Sequence, residues 1–169
     1  RGPQRTLVAD VGLVTYLRLP RALAPGERVA LRDPWGYEHP VTFDLDATLS
    51  WAVKVNQIGF AGDAPKRAWL GAWVPGVGPL DTARYDHGPF EVVDAQTGAV
   101  ALRGTIEPTA SLPAETGERL SVMDFSALRA PGRYALRVPG VGRSRPFVVG
   151  TAALGEPFVG QRESPEPIR

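Results

Sequence analysis

Cysteine is absent from this 169-residue chain, so disulfides and thiolate metal sites are excluded. The absence leaves the compartment open, because exported proteins need not contain Cys. Histidine occurs only at His39 and His87, and neither falls in a His-x-x-x-His or comparable metal-binding spacing. No segment approaches the roughly 18 consecutive apolar residues that a membrane span needs. The net charge of +1 sets up no field that would select nucleic acid or an acidic surface. There is no Gly-x-Ser-x-Gly elbow and no phosphate-binding glycine loop ahead of a lysine, so no nucleophilic triad is assigned.

What is present describes an ordinary globular chain, 43% hydrophobic and 22% charged. It is long enough for one or two small domains. Glycine (19) and proline (17) recur between short apolar runs, a spacing that predicts many strands joined by turns. The basic residues are almost all Arg. The denser groups at Arg129–Arg137 and Arg143–Arg145 have only thin aromatic interleaving and read as solvated strand faces. No nucleic-acid or membrane partner is expected. The chain opens at Arg1 without an apolar leader and reads as trimmed of any export signal.

Three regions separate by composition. Residues 1–50 form a β-rich N-terminal unit, with strand-like runs at Val11–Leu19, Arg28–Arg32 and Pro40–Leu45. Residues 51–150 carry runs at Ala52–Val55, Arg67–Trp73, Phe90–Val93, Val100–Ile106, Arg119–Phe125, Tyr134–Val138 and Pro146–Val149, spaced as in a β-sandwich. Residues 151–169 are rich in Pro and Glu and read as a linker. In Tyr134-Ala135-Leu136-Arg137-Val138 the larger apolar side chains alternate, as a half-buried strand requires. Asp94-Ala95-Gln96-Thr97-Gly98 reads as a hairpin loop, with Gly98 free to take a positive φ. Met123–Arg129 is the one candidate for a short helical turn.

"PGERVALRDPWGYEHPVTF" (25–43) parallels "PGRYALRVPGVGRSRPF" (131–147). Each has Pro-Gly, a strand ending in Ala-Leu-Arg, a Gly-containing turn and a return ending in Phe. Two stacked sandwich-like units, the first incomplete, would use one hairpin twice. The competing reading is chance similarity between two hairpins.

Acidic groups offer little chemistry. On a strand, Asp44 and Asp46 would share one face and could offer oxygens to a hard cation, yet no further ligands are near, which favours a solvated strand end. Asp81, Asp86 and His87 sit in a Gly/Pro-rich loop where metal is not expected, and His39 reads as a strand-edge residue. No pair of carboxylates is nominated for glycoside hydrolysis, and no cofactor is implied. Aromatics are the stronger lead. Trp35 and Tyr37 flank Gly36 at a turn, and Trp69 and Trp73, four apart on one run, would share a face. Exposed rings stack on sugars or anchor protein interfaces. Trp35, Tyr37, Trp73 and Tyr85 are the candidates for glycan or interdomain contact, with interface packing ahead for Trp35 and Tyr37. Trp51 and Trp69 are assigned to the core.

"VKVNQIGFAGDAPKRAWL" carries the most specific signal. It resembles the opening of the N-terminal immunoglobulin-like domain of family-nine glycoside hydrolases, the cellulase family. Val55, Asn56, Gln57, Gly59, Lys66 and Ala68 match that pattern, while Phe60 stands where Tyr is usual and Ala61-Gly62 depart from an apolar residue and Pro. "FEVVDAQTGAVALRG" and "MDFSALRAPGRYALRVPGVGRSRPFVVG" resemble the family's central hairpin and closing strands, extending the resemblance over about residues 53–150. It implies an all-β, immunoglobulin-like β-sandwich ahead of a helical catalytic domain on the same polypeptide, in an extracellular or periplasmic enzyme. In that family an Asp pair and a Glu of the helical domain do the chemistry, and no position here receives those roles. The resemblance therefore implies a non-catalytic accessory module. An independent carbohydrate-binding module for β-glucan, or an adhesion or assembly module, are the other readings. Within the motif, Asn56-Gln57 and Gly59 read as a structural corner rather than a ligand site.

Overall fold

The computed structural model describes residues 17–109 and 117–150. Most of the run at Val11–Leu19, and the tail from 151 onward, lie outside the described residues. The described chain is built almost wholly from antiparallel strands, an immunoglobulin-like β-sandwich preceded by a separate hairpin.

That hairpin pairs β1 (Arg28–Arg32) with β2 (Glu38–Thr42) and forms a two-stranded sheet of its own. Val29 and Leu31 alternate with exposed neighbours on β1, while every residue of β2 is exposed. His39 lies on β2, opposite Leu31. The return strand begins earlier than the Pro40–Leu45 run suggests, because Asp33 ties the turn closed and pairing resumes at once.

The sandwich contains β3 (Val53–Val55), β4 (Arg67–Leu70), β7 (Pro89–Asp94), β8 (Val100–Pro108), β9 (Ser121–Asp124) and β10 (Gly132–Val138). The edge is completed by β11 (Gly142–Arg143) and β12 (Phe147–Val149). Hydrogen bonding follows the path β11-β10-β7-β8-β9-β4-β3, with β12 beside β11 on the free side of β10. The long β8 serves both layers: Val100–Thr105 pairs with β7 and Ile106–Pro108 pairs with β9. Side chains alternate along it, so Leu102, Gly104 and Ile106 all face inward. Gly104 lies beneath the Phe90 ring, where a Cβ would come within 2.4 Å of a ring carbon.

Two rows form most of the core. Leu136, Val92 and Leu102 stand opposite one another across β10, β7 and β8. Ile106, Met123, Ala68 and Val55 do the same across β8, β9, β4 and β3. Between the layers Phe60, Phe125 and Phe147 pack ring against ring at centroid distances of 5.3–5.6 Å, two of the three contacts edge-to-face.

β11 and β12 are one return strand interrupted at Ser144–Pro146. The Ser144 N–H keeps its ladder bond to the Leu136 carbonyl at 2.8 Å, and the Ser144 hydroxyl accepts the Leu136 N–H at 3.0 Å. A side chain thus replaces a backbone acceptor where Pro146 disturbs the register. Tyr134 closes the opposite end, its hydroxyl donating to the Ala130 carbonyl at 3.2 Å. This is the tyrosine corner of immunoglobulin-like sandwiches.

Both similar segments are hairpins, and the Ala-Leu-Arg of each lies on its first strand. Leu136 is fully buried in the sandwich, whereas Leu31 is only half-buried. The Asp94–Gly98 loop joins β7 to β8 as expected, with Gly98 at φ +73° and the Asp94 carboxylate accepting from Gln96 and Thr97. Met123–Arg129 does not form a helical turn, because Met123 and Asp124 complete β9 and a simple turn follows. The described helical turn is instead a 3-10 segment at Ala83–Tyr85.

Candidate functional site

The stretch from Val55 to Lys66 leaves β3, touches the edge of the other layer at Phe60 and returns to β4 beside β3. Val55 ends β3 and packs on the core. The Asn56 Oδ1 then accepts the Ile58 N–H at 3.0 Å while its Nδ2 donates to the Gly59 carbonyl at 3.1 Å. Gln57 donates back to the Val55 carbonyl at 3.2 Å. Gly59 is buried at φ +110°, a conformation that an L side chain resists. The turn delivers Phe60 alongside β12, its N–H to the Val148 carbonyl at 2.9 Å and its carbonyl to the Gly150 N–H at 2.8 Å.

Lys66 holds the loop that follows. Its side chain is fully buried, and Nζ donates to the Gly62 and Ala64 carbonyls, both at 2.8 Å. Burial pushes the ammonium below its ordinary value, and the positive charge of Arg129 pushes the same way. Lys66 also ties the loop to the turn after β9, where the Ser126 hydroxyl accepts its N–H at 2.9 Å.

The candidate aromatics fall into separate places. Trp35 and Tyr37 share the tip of the β1–β2 hairpin, 80% and 60% exposed. One oxygen of Asp33 accepts both of their backbone N–H groups at 2.9 Å, and Gly36 takes φ +91° between them. These hydrogen bonds hold the Asp33 carboxyl below the usual range against the opposing effect of desolvation, and His39 at 3.3 Å contributes the same way. Trp73 stands 49% exposed on β5 (Trp73–Val74), which pairs with β6 (Gly78–Pro79) in a small separate hairpin. Tyr85 is half-buried on the 3-10 segment. Among the described residues no ring contact joins the two pairs.

Two core assignments are corrected. Trp69 is 39% exposed, because Ala68 and Leu70 take the inward positions of β4 and alternation turns Trp69 outward. It shares no strand with Trp73, since the chain leaves β4 at Gly71. There the Gly71 N–H bonds the Ala52 carbonyl, and a Cβ would come within 2.7 Å of the Arg119 carbonyl oxygen. Trp51 is 70% exposed on the approach to β3, with the Arg145 guanidinium 5.5 Å from its ring. Leu49, Trp51, Val55, Gln57 and Arg145 line a mainly apolar groove of about 210 Å³ there. Sequence reasoning missed this groove, because a parallel bridge from Leu49 to Arg143 creates it.

The acidic side chains are engaged in the fold. Asp44 and Asp46 are not on a strand: the Asp44 carboxylate accepts the Asp46 and Ala47 N–H groups at 2.8 Å, which lowers its pKa. Asp46 reaches the Gly140 N–H at 3.3 Å. Asp86 pairs with Arg119 and accepts the Ser121 hydroxyl at 2.8 Å, anchoring the 3-10 segment to the start of β9. His87, at φ +60°, lies 3.4 Å from Glu107. Among the described residues no three His, Asp or Glu side chains are gathered as a metal site would require.

Comparison with known proteins sets this sandwich in a family. The family model described as the cellulase N-terminal ig-like domain matches residues 50–143. Among solved structures the chain is similar to a Bacteroides ovatus GH9 protein, at 23% identity and TM-score 0.45, over 61% of this chain and 16% of that one. It is 34% identical to a metagenome-derived glycoside hydrolase family 9 endoglucanase, at TM-score 0.45, over 58% of this chain and 18% of the other. A thermostable endoglucanase from Alicyclobacillus acidocaldarius aligns at 25% identity and TM-score 0.42, over 60% of this chain and 15% of its own. The chain thus spans less than a fifth of the length of these structures. No curated protein matches it. With more than half of its length matched by one family model, the chain belongs to the cellulase N-terminal immunoglobulin-like domain family.

Proposed function

We propose that the chain is a non-catalytic accessory module of a cellulase-like glycoside hydrolase, exported with it, that braces or positions a catalytic domain on the same polypeptide. The family match over residues 50–143 carries this reading. The site chemistry supports it: Asp44, Asp86 and Glu91 all hold backbone N–H groups, hydroxyls or arginines in place. A bracing module needs rigid apolar contact points on its surface. Trp35 and Tyr37 meet that need at the hairpin tip, because Asp33 fixes the backbone that presents them. We assign them to the interdomain contact.

Two measurements test the assignment. The purified chain is expected to release no reducing ends from soluble β-glucan. The catalytic domain encoded by the same gene is expected to melt several degrees lower alone than when joined to this module. A gene that encodes no such domain, or a catalytic domain indifferent to the module in melting temperature and turnover, overturns the reading.

A further inference from the structure

The two similar Ala-Leu-Arg segments share more than sequence. Arg32 stands opposite Glu38 and Arg137 opposite Arg143, each pair six residues apart along the chain. The Gly36 N–H closes the first turn on the Asp33 carbonyl at 3.0 Å, and the Val141 N–H closes the second on the Val138 carbonyl at 3.0 Å. Pro34 and Pro139 take the same place in the two turns. The hairpins therefore have one register and one turn length.

They differ in what lies beside them. In the sandwich, Leu136 bonds toward Ser144, so Ala135 and Arg137 bond toward Val93 and Glu91 of β7. Among the described residues β1 pairs only with β2. The Asp33 N–H reaches the Tyr37 carbonyl and the Phe43 N–H reaches the Glu27 carbonyl, so by alternation Val29 and Leu31 bond to β2. The N–H and C=O groups of Arg28, Ala30 and Arg32 therefore point to the open edge, as those of Ala135 and Arg137 point to β7. Val29 and Leu31 are only half-buried, and Val41 on the same face is 37% exposed. A two-stranded hairpin with one such face is marginal in water, and a third strand stabilises it. The β2 edge is unsuited to accept one, because Pro40 lies at an outward position without an N–H. A second copy pairing its own β1 in full register would set Arg28 opposite Arg32 of that copy, like charges face to face.

We propose that the open edge of β1 takes Ala9–Val14 of this same chain as an antiparallel third strand, with Asp10 opposite Arg32. This segment, outside the described residues, reads Ala-Asp-Val-Gly-Leu-Val. Asp10 is the sole acidic residue among residues 1–16, so charge fixes the register. It meets Arg32 as Glu91 meets Arg137, and Arg32 then lies between the carboxylates of Asp10 and Glu38. Val11 falls opposite Leu31 as Val92 falls opposite Leu136, and Leu13 falls opposite Val29. Two aliphatic side chains thereby join the face on which Val29, Leu31 and Val41 stand. Residues 15–27 make the return, a loop ample for the gap of about 5 Å between neighbouring strands. Both strands belong to this chain, so the inference does not rest on a catalytic domain being attached.

NMR of the isotope-labelled 169-residue chain tests the pairing. Val11–Leu31 and Leu13–Val29 become non-hydrogen-bonded pairs with Cα atoms about 4.5 Å apart, so Hα–Hα contacts are expected within both. The Ala30 and Arg32 amides should exchange with solvent about tenfold or more slower than the Glu38 amide, which faces the free edge of β2. Gly12→Pro removes a donor to the Ala30 carbonyl, and Asp10→Arg sets two cations face to face. Each should speed Ala30 exchange roughly tenfold, the loss of one strand-to-strand interaction. Neither substitution touches β1, β2 or the sandwich, and unchanged exchange at Val92 and Leu136 shows the sandwich intact. Absent Hα contacts, free exchange at Ala30 and Arg32, or protection unmoved by both variants overturns the proposal. So does protection that rises with protein concentration, which would put a second copy on the edge.

Discussion

The side-chain amide of Asn56 donates to the Gly59 carbonyl at 3.1 Å, across a corner whose other bond joins the Asn56 Oδ1 to the Ile58 N–H. The pair sets the direction in which Phe60 leaves for β12 and so connects the two layers. Asn56→Ala removes both bonds from a solvent-exposed corner and should cost about 1–2 kcal/mol. Gly59→Ala forces a Cβ into φ +110° and should cost about 1–3 kcal/mol. Urea unfolding of the two variants checks both figures. A Gly59→Ala protein within about 0.5 kcal/mol of the parent, the range of an unremarkable surface change, would show that the corner relaxes freely.

Tyr134 and Gly132 form a second unit, because a Cβ on Gly132 would lie 2.8–2.9 Å from the Tyr134 ring and hydroxyl. Glycine at that position lets the ring lie over the backbone and reach Ala130. Tyr134→Phe keeps the packing against Phe147 and loses only the hydrogen bond, so about 1 kcal/mol is expected. Gly132→Ala should cost more, since the ring must move and the Ala130 bond goes with it. Equal stability of the two variants, or a Gly132→Ala protein that keeps the Tyr134–Ala130 bond by NMR, contradicts this coupling.

Lys66 is expected to act through its ammonium as well as its bulk. Lys66→Met preserves most of the aliphatic volume and leaves the Gly62 and Ala64 carbonyls without their donor, a loss of about 1–3 kcal/mol. Lys66→Ala adds a cavity and should be worse by a further 1 kcal/mol or more, roughly. Hydrogen exchange in the loop from Ala61 to Pro65 should rise in both variants. A Met variant as stable as the parent, with unchanged exchange, removes the ammonium from the account.

Much of this fold was legible in the sequence, for local reasons. The alternation in Tyr134–Val138 predicts a half-buried strand, and the structure buries Tyr134, Leu136 and Val138. The Asp94–Gly98 loop was readable because Asp94 itself holds the turn, its carboxylate accepting from Gln96 and Thr97 and its carbonyl from Gly98. Contacts made by distant segments were not readable. Trp51 looks like a core tryptophan beside an apolar strand, yet the bridge from Leu49 to Arg143 carries it along the sandwich edge and leaves it exposed. Trp69 and Trp73 look like one face of one strand, yet β4 ends at Leu70 and Trp73 pairs with Pro79 in a separate hairpin. Asp44 and Asp46 fail as a pair for the opposite reason: a local Asx turn outcompetes the strand that would have aligned them.

Acid should weaken the sandwich through Glu91. This carboxylate lies between Arg137 and Arg103, accepting from Arg137 Nε at 2.9 Å and from Arg103 Nε at 3.1 Å. The Arg137 hydrogen bond is the main reason that its pKa falls below the ordinary value, with burial opposing it. A folded-state pKa below the unfolded one means that the unfolded chain binds more protons at intermediate pH. The stabilisation is therefore complete above the unfolded Glu value near 4.3 and is lost as pH falls through the lower folded value. Glu91→Gln should be less stable than the parent by roughly 1–2 kcal/mol at neutral pH. The two proteins should converge as the pH drops below about 4. Urea midpoints measured from about pH 7 to about pH 3 distinguish this from a packing defect, which would hold the gap constant across that range.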